Sequence, residues 1–185
     1  MVKVSGRFLA FGLLLALGGC GTSGQAIKPD ASGYLATTGN GQAERAQTLT
    51  AEKTDLSQYK PLALVTGSDF IIQQVRYLGY FDQVIDLAEL QKRIVEKNLQ
   101  DKVPSIGDRI GINNAARYYG KFLWVHLDVN KREGKTYIKF VATDPTNLND
   151  LFVAERQLQY QPYVGSDQTL WYPLFNSFID WLKGR

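Results

Sequence analysis

The chain is poor in the residues from which redox and metal chemistry are built: one cysteine, one histidine and one methionine among 185 residues. A single cysteine, Cys20, excludes an intrachain disulfide. With one histidine, a His/Cys metal site is hard to assemble, and the expectation is no metal and no cofactor. There is no G-x-S-x-G nucleophile elbow. Gly39-Asn40-Gly41 lacks the strand–turn–helix setting of a phosphate loop. Charge of one sign is also missing. The formal charge is +3, but removing Lys3 and Arg7, which lie in a leader, from the 21 basic residues leaves 19 against 18 acidic ones. That balance gives no reason to expect nucleic acid as a partner. What the chain does have is aromatic material, with 3 Trp, 10 Tyr and 9 Phe, enough for one well-packed domain.

The leader comes first. Lys3 and Arg7 precede an apolar run from Phe8 to Leu17, followed by Gly18 and Gly19. This is the tripartite plan of a secretory signal. Ten residues rise only about 15 Å as a helix, roughly half a bilayer core, so the run is too short for a permanent span. Leu17-Gly18-Gly19-Cys20 resembles the lipobox of bacterial lipoproteins. The resemblance implies cleavage between Gly19 and Cys20, a diacylglycerol on the Cys20 thiol, a further acyl chain such as palmitate on its amine, and anchoring in a lipid bilayer. Gly21 follows the cysteine where inner-membrane lipoproteins of the enteric type carry Asp. The expected location is therefore the outer membrane, with the domain facing the periplasm. The outer leaflet of the inner membrane and the cell surface are the alternatives.

Residues 20–58 are rich in Gly, Ala, Ser and Thr, without apolar periodicity. They read as the lipidated cysteine and a flexible tether able to reach more than about 100 Å, with 44–58 as a possible arm on the domain. Residues 59–185 read as one α/β (α+β) domain. Pro61–Val65 suits a buried strand, Ser68 a helix cap, and Ile71, Ile72, Val75 and Leu78 a helix ending at Gly79. Tyr80–Ile85 suggests a second strand, Asp86 the cap of a second helix, and Ser105 with Asp108 the capping box of a third. Residues 121–130, 136–143 and 151–160 alternate as strands of an antiparallel meander. The last helix carries Pro173 in its first turn. The order is β-α-β-α-α-β-β-β-α, a mixed sheet packed with helices, its first two strands parallel.

Gly79-Tyr80-Phe81-Asp82-Gln83-Val84-Ile85, the stretch from Ala116 to Val125, and the Asp144–Glu155 turn region carry a family resemblance. Over about residues 60–182 the pattern resembles the periplasmic α/β domains of the TolB N-terminal, CsgG and LpoB type. That resemblance implies a non-enzymatic scaffold that binds another envelope protein in assembly, secretion or cell-wall synthesis. The chain departs from the pattern at Pro145–Asn149, in place of a glycine-rich turn. It also lacks the amphipathic hairpins that a CsgG-like pore needs.

Three constellations could carry chemistry. His126 with Asp128 on one strand face could be half of a catalytic pair, although a structural role is the preferred reading. Asp82, Asp86 and Glu89 could suggest hydrolase carboxylates, and the caps explain them more simply. Asp144–Asp150 offers oxygen ligands but lacks the glycine and glutamate of a calcium loop, so it reads as a turn. The aromatic residues Phe122, Trp124, Tyr137, Tyr160, Tyr163, Trp171 and Tyr172 gather around the meander and the last helix. If uncovered, Phe122, Trp124, His126 and Tyr160 would form a surface for a protein partner or an exported polysaccharide. Burial under the final helix is the preferred reading. No catalytic residue is assigned, and an envelope hydrolase is the disfavoured third reading.

Overall fold

The computed structural model describes residues 25–37, 41–158 and 170–185. The expected signal peptide, Gly19, Cys20 and Tyr160 lie outside the described residues. Six strands form one sheet: β1 (Gln47–Ala51), β2 (Ala63–Val65), β3 (Val84–Ile85), β4 (Leu123–Arg132), β5 (Lys135–Asp144) and β6 (Asn149–Gln157). Four helices accompany it: α1 (Asp69–Leu78), α2 (Leu87–Glu96), α3 (Arg109–Tyr118) and α4 (Tyr172–Leu182). The strands lie in the order β1-β6-β5-β4-β2-β3. β2 is parallel to β3 and β4, while β4, β5, β6 and β1 pair antiparallel. The mixed α/β sheet and the expected element order are both present, with β1 as an added edge strand.

Local chemistry sets most of the boundaries. Asp86 caps α2 by accepting the Glu89 N–H at 2.7 Å, and Asp108 caps α3 through the Gly111 N–H at the same distance. Ser105 accepts the Gly107 N–H instead, so the Ser105/Asp108 capping box does not form. Ser68 occupies the N-cap of α1 without a side-chain bond. Gly79 ends α1 at φ 68°, where a Cβ is disfavoured. The second strand is shorter than the sequence suggests, because Tyr80–Gln83 bends before two residues pair with β2.

Alternation along β4 divides the core between two helical layers. Leu123 and Val125 join Phe140, Ala142, Phe152 and Ala154 beneath α1 and α4. Phe122 and Trp124 point the other way, into a second cluster with Leu90 and Ile94 of α2 and Ile112, Ala115 and Ala116 of α3. The domain is thus a three-layer α/β/α arrangement. The larger core is aromatic: Phe178 lies 5.0 Å from Phe140, 5.6 Å from Phe152 and 5.8 Å from Trp181 between ring centroids. Such pairs favour tilted and offset contacts beyond their simple burial.

Residues 25–37 and 41–58, expected as a tether with 44–58 as a possible arm, pack onto the domain. β1 pairs with β6 through Gln47↔Glu155 and Ala51↔Phe152. Upstream, Leu35 is fully buried in the larger core. Asn176 of α4 accepts the Leu35 N–H at 2.8 Å and donates to the carbonyls of Leu35 at 2.8 Å and Glu44 at 3.0 Å. Gln74 of α1 makes the same two-way bond with the Ile27 backbone, and Ser177 donates to the Ala46 carbonyl. This arm explains α4, which is buried on nearly every side, as a helix apolar all round must be. The sheet covers one flank and the arm another.

Candidate functional site

The connections create one special position in the sheet. From β2 the chain passes through α1 to β3 on one side, then returns over the opposite face through α2 and α3 to β4 on the other side of β2. The gap between β2 and β4 is therefore a topological switch point, where open α/β sheets leave a crevice outside the carboxyl ends of their strands. A cavity of about 260 Å³ occupies that place, lined by Thr66 at the end of β2, Leu87 at the start of α2, Ile106, Gly107, Asp108, Arg109 and Ile112 around the start of α3, and Trp124 of β4. Apolar side chains make its floor, and Thr66, Asp108 and Arg109 supply its polar groups.

The wall formed by α3 depends on a close approach. A Cβ on Gly111 would stand 2.1 Å from the Ser105 carbonyl oxygen, so only glycine lets the helix lie against that loop. Asn113 ties α3 across to the β5–β6 turn by donating to the carbonyls of Pro145 at 2.6 Å and Thr146 at 2.9 Å. Asp144 stabilises the turn by accepting from the Thr146 N–H and hydroxyl. Those two hydrogen bonds, with the neighbouring Tyr59 hydroxyl, outweigh the opposing effect of burial and hold its carboxyl below the usual range. The 144–150 segment is accordingly a clamp on α3, as a turn reading allows.

Behind the crevice runs a polar network. Trp124 donates to the Thr66 hydroxyl at 3.1 Å and stacks on His126 with ring centroids 4.2 Å apart. The Arg109 guanidinium lies 5.6 Å from the Trp124 ring and 3.7 Å from the Asp150 carboxylate, and donates to the Leu148 carbonyl. His126 Nε2 is 3.1 Å from the Thr143 hydroxyl, which itself donates to Asp150 at 2.7 Å. On the other side, His126 Nδ1 faces Asp128 at 3.5 Å. Burial pushes His126 below the ordinary imidazole value and the Arg109 charge adds to this, against the upward pull of Asp128 and Asp150.

Thr143, His126 and Asp128 stand in the order of a nucleophile, a base and an orienting acid, yet they do not form a hydrolytic triad. The Thr143 side chain is wholly buried and its proton is committed to Asp150, so no substrate reaches it. Two of the three acidic residues have structural roles: Asp86 caps α2, and Glu89 pairs with Arg93 at 2.8 Å. Among the described residues no group of three His, Cys, Asp or Glu side chains is placed to hold a metal ion.

The candidate aromatic surface is covered at Phe122, Trp124 and His126, in line with the burial reading, and Tyr160 lies outside the described residues. Phe122 is fully buried, Trp124 is 8% exposed and His126 5%. α2 and α3 cover the two aromatics, rather than the final helix, because the even-numbered β4 residues face away from α4. Sequence reasoning singled out Trp124 and His126, placed Asp150 only in a turn, and missed Thr66, Arg109 and Thr143. Thr66-Gly67-Ser68, a turn between an apolar strand and a helix, was the available signal for the first.

No family model matches the chain, and no curated protein matches it. Among solved structures, the C-terminal domain of LpoB from Salmonella enterica overlays 56% of this chain and 85% of its own length, with 14% sequence identity and a TM-score of 0.38. An overlay that loose carries no argument about function.

Proposed function

We propose that this chain is a non-catalytic lipoprotein of the bacterial envelope. In this reading Cys20 carries the lipid, the outer membrane holds it, and the periplasmic domain binds another envelope protein in assembly, secretion or cell-wall synthesis. The observation that carries it is the run of Lys3/Arg7, Phe8–Leu17 and Gly18-Gly19-Cys20, followed by Gly21 rather than Asp. The domain contributes a second support. Its one histidine is locked into an internal network, while the switch-point crevice is sized for a single side chain of a partner. Ile110, the first residue past Arg109, is 72% exposed beside it and offers an apolar contact. Phe122 and Trp124 are buried and offer no surface to a polysaccharide.

Two measurements test the reading. Metabolic labelling with a palmitate analogue followed by membrane fractionation will place wild-type protein in the outer membrane, and Cys20→Ser will lose both label and location. An unlabelled wild-type chain defeats the anchoring. A photo-crosslinking residue at position 110 will trap a discrete protein adduct in cells, and a chain that forms none while retaining glycan in a binding screen refutes protein recognition.

A further inference from the structure

The packed arm changes what an anchor at Cys20 can do. Gln25 is the first described residue, and by Ile27 the chain is hydrogen-bonded to Gln74 of α1. Residues 21–24 separate Cys20 from Gln25, and a fully extended chain covers about 18 Å between those two residues. The tether expected from composition would have exceeded about 100 Å. A lipid on Cys20 therefore cannot hold this domain at a distance. It holds it against the bilayer, by the flank on which the arm crosses α1 and α4.

That flank has the chemistry of a lipid-facing surface. Three cations surround the Tyr34 ring: the Arg45 guanidinium at 4.0 Å, the Lys183 ammonium at 4.5 Å, and Arg185, which donates to the Tyr34 hydroxyl at 3.0 Å. Lys28 stands 6.0 Å over Tyr77 of α1 on the same side. The acidic groups there are engaged: Asp180 by Arg45 at 2.8 Å and Tyr34 at 2.5 Å, and Asp30 by the Ser32 N–H and hydroxyl. Beside the cluster lies an apolar groove of about 230 Å³, with Pro29, Leu78, Tyr80, Ile179 and Leu182 in its walls and Lys183 at its rim. Ile27 adds an exposed aliphatic side chain. Cations over an apolar groove, within a Debye length (about 8 Å) of a membrane surface, suit anionic phospholipid headgroups.

We infer that this flank, built from the 25–34 arm, the C-terminal end of α4 and Tyr77 of α1, docks the domain directly on the anionic phospholipid surface in which Cys20 is anchored. The inference rests on the lipoprotein reading. It implies that the partner is met at the membrane surface, by the layer formed of α2 and α3 across the sheet, where the crevice opens.

The test uses full-length, lipidated protein in phosphatidylethanolamine/phosphatidylglycerol vesicles. With Cys20 acylated, an introduced cysteine is the sole free thiol and takes a nitroxide label. Labels at Ile27→Cys and Ala31→Cys, both exposed on the arm, will be strongly relaxed by a nickel-chelating headgroup lipid. A label at Glu96→Cys, on α2 across the sheet, will stay at background. Replacing phosphatidylglycerol by phosphatidylcholine will reduce the effect at position 27. Equal relaxation at all three sites, or background at all three, overturns the docking. Insensitivity to phosphatidylglycerol overturns the headgroup recognition. Flotation separates the two readings: a wild-type chain that does not float with vesicles defeats the anchoring itself, whereas one that floats but shows uniform relaxation defeats only the docking.

Discussion

Replacing Gly111 by alanine sets two well-understood effects against each other. Position 111 lies inside α3, where alanine is the better helix former by about 1 kcal/mol. If the new methyl had room, the variant would be more stable. The structure denies it room. The Cβ would meet the Ser105 oxygen at 2.1 Å, its carbonyl carbon at 2.8 Å and the Ile106 Cα at 2.9 Å, all backbone atoms that cannot rotate aside. Carbon and oxygen need about 3.5 Å, so α3 and the 105–106 loop must separate by more than about 1 Å. Overpacking of that kind costs about 1–3 kcal/mol or more. The separation also strains the Asn113 bonds to the 145–146 carbonyls, for about 1 kcal/mol in addition. The net expectation is a loss of about 1–3 kcal/mol, or roughly 3–10 °C in melting temperature for a domain of this size. Denaturation of protein lacking the leader, followed by circular dichroism, measures it. A variant equal to or more stable than wild type would refute the close approach and with it the described shape of the crevice wall.

Other residues give sharp expectations. Because burial holds the His126 pKa below its unfolded value, the unfolded chain takes up the proton first. Stability is then complete above the ordinary value near 6.5 and falls as the pH drops below it, so His126→Asn should flatten the slope of urea midpoints between about pH 7 and 5. Asn176→Ala leaves the Leu35 N–H and the carbonyls of Leu35 and Glu44 without their partner; it should cost about 2–4 kcal/mol and open the arm to limited proteolysis within residues 25–46. An arm that stays protected would show that β1 pairing alone retains it. Phe178→Ala empties the centre of the aromatic core and should cost about 3–5 kcal/mol by the same denaturation measurement, against less than about 1 kcal/mol for the exposed Val129→Ala.

Much of this domain is legible in its sequence because the signals are local. Apolar spacing marks α1 and α2, Asp86 and Asp108 cap by reaching three residues ahead, and strict alternation with the Glu133-Gly134 turn makes the β4–β5 hairpin. β1 was invisible for a physical reason. As an edge strand it holds its place through backbone bonds to β6, and its side chains, QTLTA, are largely exposed, so no alternation is imposed on them. The arm's upstream part, residues 25–37, escaped notice similarly, since Gln74 and Asn176 grip peptide groups, which every sequence has.

By itself, then, the sequence determined the order and type of the elements from β2 to α4 and the Asp86 and Asp108 caps, because each follows from neighbours along the chain. Only the tertiary structure decided that Phe122 and Trp124 lie under α2 and α3, that Thr66, Arg109 and Trp124 meet at one crevice, and that the apparent tether is part of the fold. Those outcomes depend on which side of β2 the chain returns to and on which backbone groups it leaves unpaired, and neither is written in local periodicity.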